Sequence, residues 1–124
     1  MIHKIEFITE AVEDFGRLDG SIRKKVAKKI DELAANPYLG KPLGNFSDIN
    51  LTGFYKLYTD DKKIRIVYRL LLEDRVIVEI WGIGKREKSQ IYQKVNRRVQ
   101  NRKKKKWIDY YMVLLIRFKH RQYE

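Results

Sequence analysis

The chain has 124 residues, which fits one domain built around one hydrophobic core. Its apolar content of 44% and charged content of 35% are typical of a globular protein and exclude an intrinsically disordered one. The absence of cysteine excludes disulfides, thiolate metal sites and a cysteine nucleophile. The N-terminal residues MIHKIEFITEAVEDF lack an apolar run of signal-peptide length, so we expect a cytoplasmic protein.

The net charge of +12 is unevenly distributed along the chain. Residues 1–50 hold 8 Lys/Arg and 8 Asp/Glu, residues 51–100 hold 12 and 6, and residues 101–124 hold 8 and 2. Positive charge concentrated in one part of a small domain is typical of proteins that bind nucleic acids or other polyanions. A basic surface that only maintains solubility is the alternative.

The first part of the chain predicts a strand followed by a helical hairpin. Residues 3–8 alternate apolar and polar side chains, as a strand does. Thr9 can cap a first helix with Val12 and Phe15 on its apolar side, and Ser21 can cap a second helix. The second helix has apolar residues at helical spacing, namely Ile22, Val26, Ile30, Leu33 and Ala34.

From residue 53 the pattern changes to strands. Three runs rich in β-branched and aromatic residues, GFYKLYT, KIRIVYRLLL and RVIVEIWGIG, are joined by two short turns and predict an antiparallel meander. The segment REKSQIYQKVNRRV then predicts a helix with Ile91, Val95 and Val99 on its buried side. The order β-α-α-β-β-β-α predicts a compact α+β domain.

We place this domain at residues 1–99 and treat residues 100–124 as a basic and apolar C-terminal extension, not as an independent domain. The extension joins a four-lysine run to an apolar patch at residues 108–118. That patch is about half the roughly 20 residues that a membrane-spanning helix needs, so we expect no membrane span. It can lie against the domain, a partner or a membrane surface, or have no dedicated role.

The first hairpin of the meander predicts a cluster of cations. If its loop is centred on residues 60–61, Leu57 faces Ile64 and Lys56 faces Arg65. Two like charges directly opposite each other on paired strands are destabilising unless an anion lies between them. An anionic ligand on this face of the sheet is therefore expected.

Aromatic residues accompany these cations. Tyr58 shares the face of Lys56 and Arg65, and the last helix can place Arg86 and Tyr92 over it. Cations interleaved with aromatic rings suit single-stranded RNA, because the charges hold phosphates while the rings stack on bases. We predict that the RNA-binding residues are Tyr58, Lys63, Lys85 and Lys88.

The segments GFYKLYTDDKKIRIVYRL and GKREKSQIY resemble the RelE/ParE superfamily of bacterial type II toxins, and the RelE branch in particular. The resemblance covers roughly residues 2–98. It implies a toxin that cuts mRNA in the ribosomal A site without a metal or other cofactor. It also implies a cognate antitoxin that binds and inhibits the toxin, with a toxin–antitoxin hetero-oligomer as one form of assembly.

The resemblance also implies roles for four catalytic residues. Lys56 and Arg65 fall where the family places phosphate-stabilising cations, Arg86 where it places a general acid, and Tyr92 where it places a tyrosine that stacks on a base or orients the substrate. Tyr58 is a departure, because the RelE branch usually has a lysine there that acts as general base. A tyrosine with a pKa near 10 is a poor base at neutral pH.

Two other functions remain open from the sequence. A ParE-like toxin of this fold would inhibit DNA gyrase, and a non-catalytic member would bind RNA or an antitoxin without cleaving. The individual residues also have structural alternatives: Arg65 can pair with Glu79, and Tyr92 can be a core residue beside Ile91 and Val95.

Overall fold

A computed structural model describes residues 2–46, 49–85, 87 and 90–104 of the chain. The elements are β1 Lys4–Phe7, α1 Thr9–Gly16, α2 Gly20–Ala35, β2 Lys41–Pro42, β3 Asn45–Phe46, β4 Ile49–Asn50, β5 Phe54–Thr59, β6 Ile64–Leu72, β7 Val76–Lys85 and a third helix, α3, at residues 90–104. The predicted α+β fold and the order of its main elements are confirmed. The three short strands β2, β3 and β4 were not predicted.

The main sheet has five strands in the order β1-β7-β6-β5-β2. Strands β5, β6 and β7 form the predicted antiparallel meander. Strand β1 runs parallel to β7, from Lys4 beside Ile77 to Phe7 beside Ile80, and β2 pairs with β5 at the opposite edge. The first strand of the chain therefore lies beside the last one. Strands β3 and β4 form a separate two-stranded sheet.

Helix α2 buries the predicted apolar side. Val26, Ile30, Leu33 and Ala34 are buried, and Ile22 is partly buried against the same core. The prediction of Ser21 as the cap is wrong, because α2 begins at Gly20 and Ser21 is already a helical residue. The residue at the cap position is Asp19, whose side chain makes no capping hydrogen bond.

Helix α1 differs from its prediction at the cap and at Val12, whereas Phe15 is partly buried against the core as predicted. It begins directly after Ile8, whose N–H still donates to the carbonyl of Ile80, so Thr9 is a helical residue and not the cap. Val12 is 55% exposed, whereas the neighbouring residues Ala11 and Asp14 are buried. The buried side of α1 is turned toward β7 because Asp14 has partners there, which are described below.

The turn between β5 and β6 corrects the predicted register. Leu57 pairs with Ile66, Lys56 with Val67, and Tyr58 with Arg65, so Lys56 does not lie opposite Arg65. The cause is a four-residue turn at positions 60–63, in which three consecutive non-glycine residues have positive φ: Asp60 at 52°, Asp61 at 52° and Lys62 at 68°. The register moves by two residues, and each side chain stays on its predicted face of the sheet.

Helix α3 packs on β7 through its predicted apolar residues. Ile91 and Val95 are buried and Val99 is partly buried. The helix continues across the predicted boundary between residues 99 and 100, as far as residue 104. The rest of the predicted extension, residues 105–124, lies outside the described residues, and its role stays a prediction.

None of the three helices, over the ranges that the structure describes, is long and apolar enough to cross a membrane.

Candidate functional site

Arg65 lies at the centre of the candidate site. Its guanidinium carbon is 5.3 Å from the centroid of the Tyr58 ring and 4.8 Å from that of the Tyr92 ring. Tyr58 is its partner residue on the adjacent strand β5, and Tyr92 comes from α3. A guanidinium this close to an aromatic face is attracted by the ring quadrupole. The β5–β6 hairpin and a helix that begins about 25 residues further along the chain therefore converge on one cation.

Lys56 completes this cluster. Its Nζ lies 5.5 Å from the centroid of the same Tyr58 ring. Lys56 and Arg65 therefore share one aromatic ring, although they do not face each other across the strands as predicted. The group formed by Lys56, Tyr58, Arg65 and Tyr92 is called the Arg65 cluster below.

Two glycines of β7 let α3 approach the sheet closely enough to bring Tyr92 to Arg65. A Cβ at Gly82 would lie 2.7 Å from Val95 Cγ2, and a Cβ at Gly84 would lie 3.2 Å from Ile91 Cδ1. Gly84 is also the β7 partner of Arg65. The glycines in the sequence GIG thus position α3.

Tyr92 is both a core residue and a member of the cluster. It is only 4% exposed and belongs to the main apolar core, as the structural alternative from the sequence expected. One face of its ring still contacts the guanidinium of Arg65. The two interpretations of Tyr92 are compatible.

The charge of Arg65 is not neutralised by a carboxylate within the described part of the chain. The predicted alternative, a salt bridge with Glu79, is wrong: Glu79 accepts from Arg69 Nε at 2.7 Å and from Trp81 Nε1 at 2.6 Å. Arg65 Nε is buried and has no hydrogen-bond partner among the described residues. Since the residue as a whole is only partly buried and no carboxylate among the described residues pairs with it, Arg65 is a candidate for binding an anion.

A second feature, a cleft of about 430 Å³, contains two more of the predicted RNA-binding residues. Lys63 and Lys85 line it together with Ile22, Asp60, Asp61, Lys62, Ile64 and Glu87. Lys25 Nζ donates to Asp60 Oδ1 at 2.7 Å, and this hydrogen bond lowers the pKa of Asp60. The cleft mixes carboxylates with lysines, so it is less suited to a polyanion than the Arg65 cluster.

Arg86 and Lys88 lie outside the described residues, and their predicted roles stay predictions. In the ranges that the structure describes, no group of three or more His, Asp or Glu side chains is arranged to hold a metal ion.

Sequence reasoning missed a set of ion pairs that joins α1 to α3. Arg98 pairs with Asp14 at 2.7 Å, and Arg102 pairs with Glu10 at 2.9 Å. The available signal was the matched spacing, because each helix carries its two charges four residues apart and therefore on one side. Nothing in the local sequence of α1, however, indicates that residues so far along the chain are its partners.

The class of protein that this fold and this cluster define is a toxin of the RelE/ParE superfamily, as comparisons with known proteins show. A family model described as the ParE toxin of the type II toxin-antitoxin system parDE matches residues 5–90. The chain belongs to this family of type II toxins.

The curated relatives are RelE-like. A RelE-like toxin protein of Escherichia coli is 26% identical over 100 residues, covering 81% of this chain and all of that protein. The mRNA interferase toxin RelE of Escherichia coli K12 is 25% identical over 100 residues, covering 80% of this chain and 99% of its own.

Solved structures share the fold. A double mutant of Escherichia coli toxin RelE in the free state matches with a TM-score of 0.63 and 24% identity, covering 80% of this chain and 99% of that one. The toxin in the intact Escherichia coli RelBE toxin–antitoxin complex matches with a TM-score of 0.56 and 23% identity, covering 69% and 99% of the two chains. At this level of sequence identity, the solved structures support the fold, and the activity has to be inferred from the candidate site.

Proposed function

We propose that this toxin is a ribosome-dependent endoribonuclease that cleaves mRNA and thereby inhibits translation. The observation that carries the proposal is the Arg65 cluster, in which a guanidinium without a carboxylate partner in the described residues is held between two aromatic rings. The mRNA interferase named among the relatives supports the same activity. We assign Lys56, Arg65 and Arg86 to catalysis, and we assign the predicted catalytic residue Tyr92, which is 4% exposed, to holding Arg65 in place.

The proposed reaction is an attack of the ribose 2′-oxygen on the adjacent phosphorus. A base removes the 2′-hydroxyl proton, a 2′,3′-cyclic phosphate forms, and the P–O bond to the 5′-oxygen breaks as that oxygen takes up a proton. The transition state carries extra negative charge on the phosphoryl oxygens. Lys56 and Arg65 stabilise that charge, which is commonly the largest contribution to such catalysis. The ring of Tyr92 holds the guanidinium in place.

Tyr58 occupies the position where the resemblance expects a general base. Proton removal by a positioned group contributes about 10²- to 10⁴-fold to a reaction of this kind. We therefore propose that wild-type cleavage is slow and that Tyr58→Lys accelerates it by at least about tenfold. Tyr58→Met removes the ring without adding an amine and serves as the control. A Tyr58→Lys rate no higher than that of Tyr58→Met contradicts this assignment.

We further propose a cognate antitoxin that binds this toxin in the cytoplasm. The toxin family and the RelBE complex formed by the Escherichia coli relative support this partner. Co-expression with a small antitoxin-like protein encoded next to this chain should abolish growth arrest and yield a co-purifying complex.

Primer extension on cellular mRNA after brief induction tests the main proposal. Induction of the wild type should produce new mRNA 5′ ends and growth arrest, and Arg65→Gln should lower cleavage by about 10²- to 10³-fold. Arg75→Gln is the matched control, because it makes the same change at an exposed turn residue between β6 and β7. Equal cleavage by the two variants, both shown to be folded by circular dichroism, contradicts the assigned site. Arg86→Ala tests the predicted general acid in the same way.

The same induction separates the alternatives. The match to a model named for the ParE toxin is the observation that favours gyrase inhibition. DNA breaks with intact mRNA support that function and overturn the one proposed here. Ribosome or RNA binding without cleavage or toxicity supports a non-catalytic member of the fold.

A further inference from the structure

The inner of the two ion pairs between α1 and α3 is a buried contact that joins three elements. Asp14 is 6% exposed and accepts two hydrogen bonds from the guanidinium of Arg98, at 2.7 and 2.9 Å. The backbone N–H of Ile83 in β7 also donates to Asp14, at 3.1 Å, and Arg98 donates to the carbonyl of Trp81, at 2.9 Å. Asp14 thereby provides an acceptor for an N–H of β7 beyond the end of β1.

The outer ion pair repeats this geometry one helical turn away. Arg102 donates to both carboxylate oxygens of Glu10, at 2.9 and 3.0 Å, and its guanidinium carbon lies 4.8 Å from the Trp81 ring centroid. Since Glu10 pairs with Arg102 and Asp14 with Arg98, the two helices run antiparallel along these contacts. The four residues form what is called the α1–α3 clamp below.

The α1–α3 clamp fixes where α3 lies along and around its own axis. Each bidentate pair of a guanidinium and a carboxylate has a defined planar geometry. Two such pairs on one side of a helix determine both its axial position and its rotation. Arg98 is six residues beyond Tyr92, which is about 9 Å along a helix. Whatever fixes Arg98 therefore also fixes the Tyr92 ring.

Burial of an ion pair is weak evidence for stability, because the cost of desolvation can equal the gain in attraction. The apolar contacts of Ile91 and Val95 already hold α3 on the sheet. Apolar contacts do not depend strongly on direction, however, whereas the hydrogen bonds of the α1–α3 clamp do. Its specific contribution is orientation.

We infer that Asp14 and Glu10 are positioning residues, which hold α3 so that the ring of Tyr92 lies against Arg65 and makes cleavage possible. This inference deepens the proposed function and rests on it for its consequence in catalysis. The placement itself is a property of the structure and can be measured without any RNA.

The placement is measured by nuclear magnetic resonance on the full chain. The Nε–Hε signal of Arg65 is assigned by its loss in Arg65→Lys. Its chemical shift reports the ring currents of the nearby tyrosines, and the Tyr92→Leu variant gives the chemical shift in the absence of the Tyr92 ring. We expect the chemical shift of this Arg65 signal in Asp14→Asn to move at least halfway from its wild-type value toward its value in Tyr92→Leu. Glu13→Gln is the matched control, since the Glu13–Arg17 pair on the same helix is 3.9 Å long and exposed, and the signal should stay at its wild-type position.

Four further variants keep the test decisive if Asp14→Asn does not fold. Arg98→Lys keeps the positive charge but loses the bidentate geometry, so orientation should be lost while charge is retained. The outer pair is more than a third exposed, so its charges can be exchanged. Glu10→Arg and Arg102→Glu should each change the chemical shift of the Arg65 signal, and the double variant should return that chemical shift most of the way to its wild-type value.

Cleavage of mRNA on programmed ribosomes under single-turnover conditions measures the consequence. The rate constant of Asp14→Asn or Arg98→Lys should fall by about 10- to 100-fold, because small misplacements of catalytic groups cost that much. The concentration for half-maximal rate should change less than twofold. A loss of folded protein alone would instead raise the toxin concentration needed for half-maximal rate and leave the maximal rate constant unchanged.

The outcomes separate the inference from the proposed function. Folded clamp variants that keep both the wild-type Arg65 signal and the wild-type rate constant overturn the inference. A wild type that cleaves no mRNA overturns the proposed function, and the Arg65 signal then still decides whether the clamp positions Tyr92.

Discussion

Replacing Gly82 by alanine tests the close contact between β7 and α3. The added Cβ would lie 2.7 Å from Val95 Cγ2 and 2.9 Å from Ile91 Cδ1. Carbon atoms in contact are normally about 3.5–4.0 Å apart, so the helix has to move outward by about 1 Å. Ile91 can rotate its terminal methyl group away, but Val95 is branched at Cβ and has no such freedom.

The expected cost follows from two opposing effects. Overpacking of a core contact costs about 1–3 kcal/mol. The lower conformational entropy of alanine in the unfolded chain offsets about 0.4–1 kcal/mol of this. Because Val95 cannot move away, the overpacking cost lies in the upper part of its range, about 2–3 kcal/mol, and Gly82→Ala should lower the free energy of unfolding by about 1–2.5 kcal/mol.

Urea unfolding followed by circular dichroism measures this difference, as a lower midpoint with an unchanged slope. Gly84→Ala is the comparison, because its Cβ would lie 3.2 Å from the flexible end of Ile91 and should cost less than half as much. The displacement of α3 should also move the Tyr92 ring away from Arg65. A Gly82→Ala variant as stable as the wild type, with the Arg65 signal unchanged, would refute the proposed packing of α3.

Three other predictions address different contacts. Tyr68→Phe removes a buried hydroxyl that donates to the Pro37 carbonyl and accepts from the Gly40 N–H, both at 2.9 Å. The substitution should lower the free energy of unfolding, measured in urea, by about 1–3 kcal/mol. A loss below about 0.5 kcal/mol contradicts the contribution of these hydrogen bonds. The hydrogen bond from Arg102 lowers the pKa of Glu10 to about 2. Its stabilising effect should therefore be complete above pH 4.5 and disappear as the pH falls through 2. Since Glu10 is partly exposed, Glu10→Gln should cost about 1 kcal/mol at pH 7 and only a small part of that at pH 2. A cost independent of pH argues against this pair. RNA binding by the full chain should weaken with salt, with a log–log slope of about −0.7 per phosphate contacted, and binding insensitive to salt would exclude phosphate contacts.

The apolar pattern predicted the meander, the buried side of α2 and the packing of α3, because these features depend on side chains close together in sequence. It also placed Lys56, Tyr58 and Arg65 on one face, since the parity of a strand survives a register shift of two residues. The register itself was wrong because three consecutive non-glycine residues adopt positive φ in the turn. Aspartate is among the residue types enriched there, but three such residues in succession, the last of them Lys62, are not expected from local preferences.

The orientation of α1 could not be predicted for a different reason. Val12 looked like the buried residue because it is apolar, yet the burial of Asp14 is compensated by Ile83 and Arg98, which follow much later in the chain. A buried carboxylate is tolerated only when such partners are present. A sequence read one element at a time therefore places Val12, and not Asp14, on the buried side of α1.

The parallel pairing of β1 with β7 has a consequence for the time at which the protein folds. Lys4 pairs with Ile77 and Asp14 with Arg98, so the N-terminal segments pair with residues that lie 73 and 84 positions further along the chain. Pairing between segments so distant in sequence is slow, because the entropy of closing the long loop is lost before any contact compensates for it. The contacts of β1 and α1 should therefore form late in folding, after the local hairpin contacts among β5, β6 and β7.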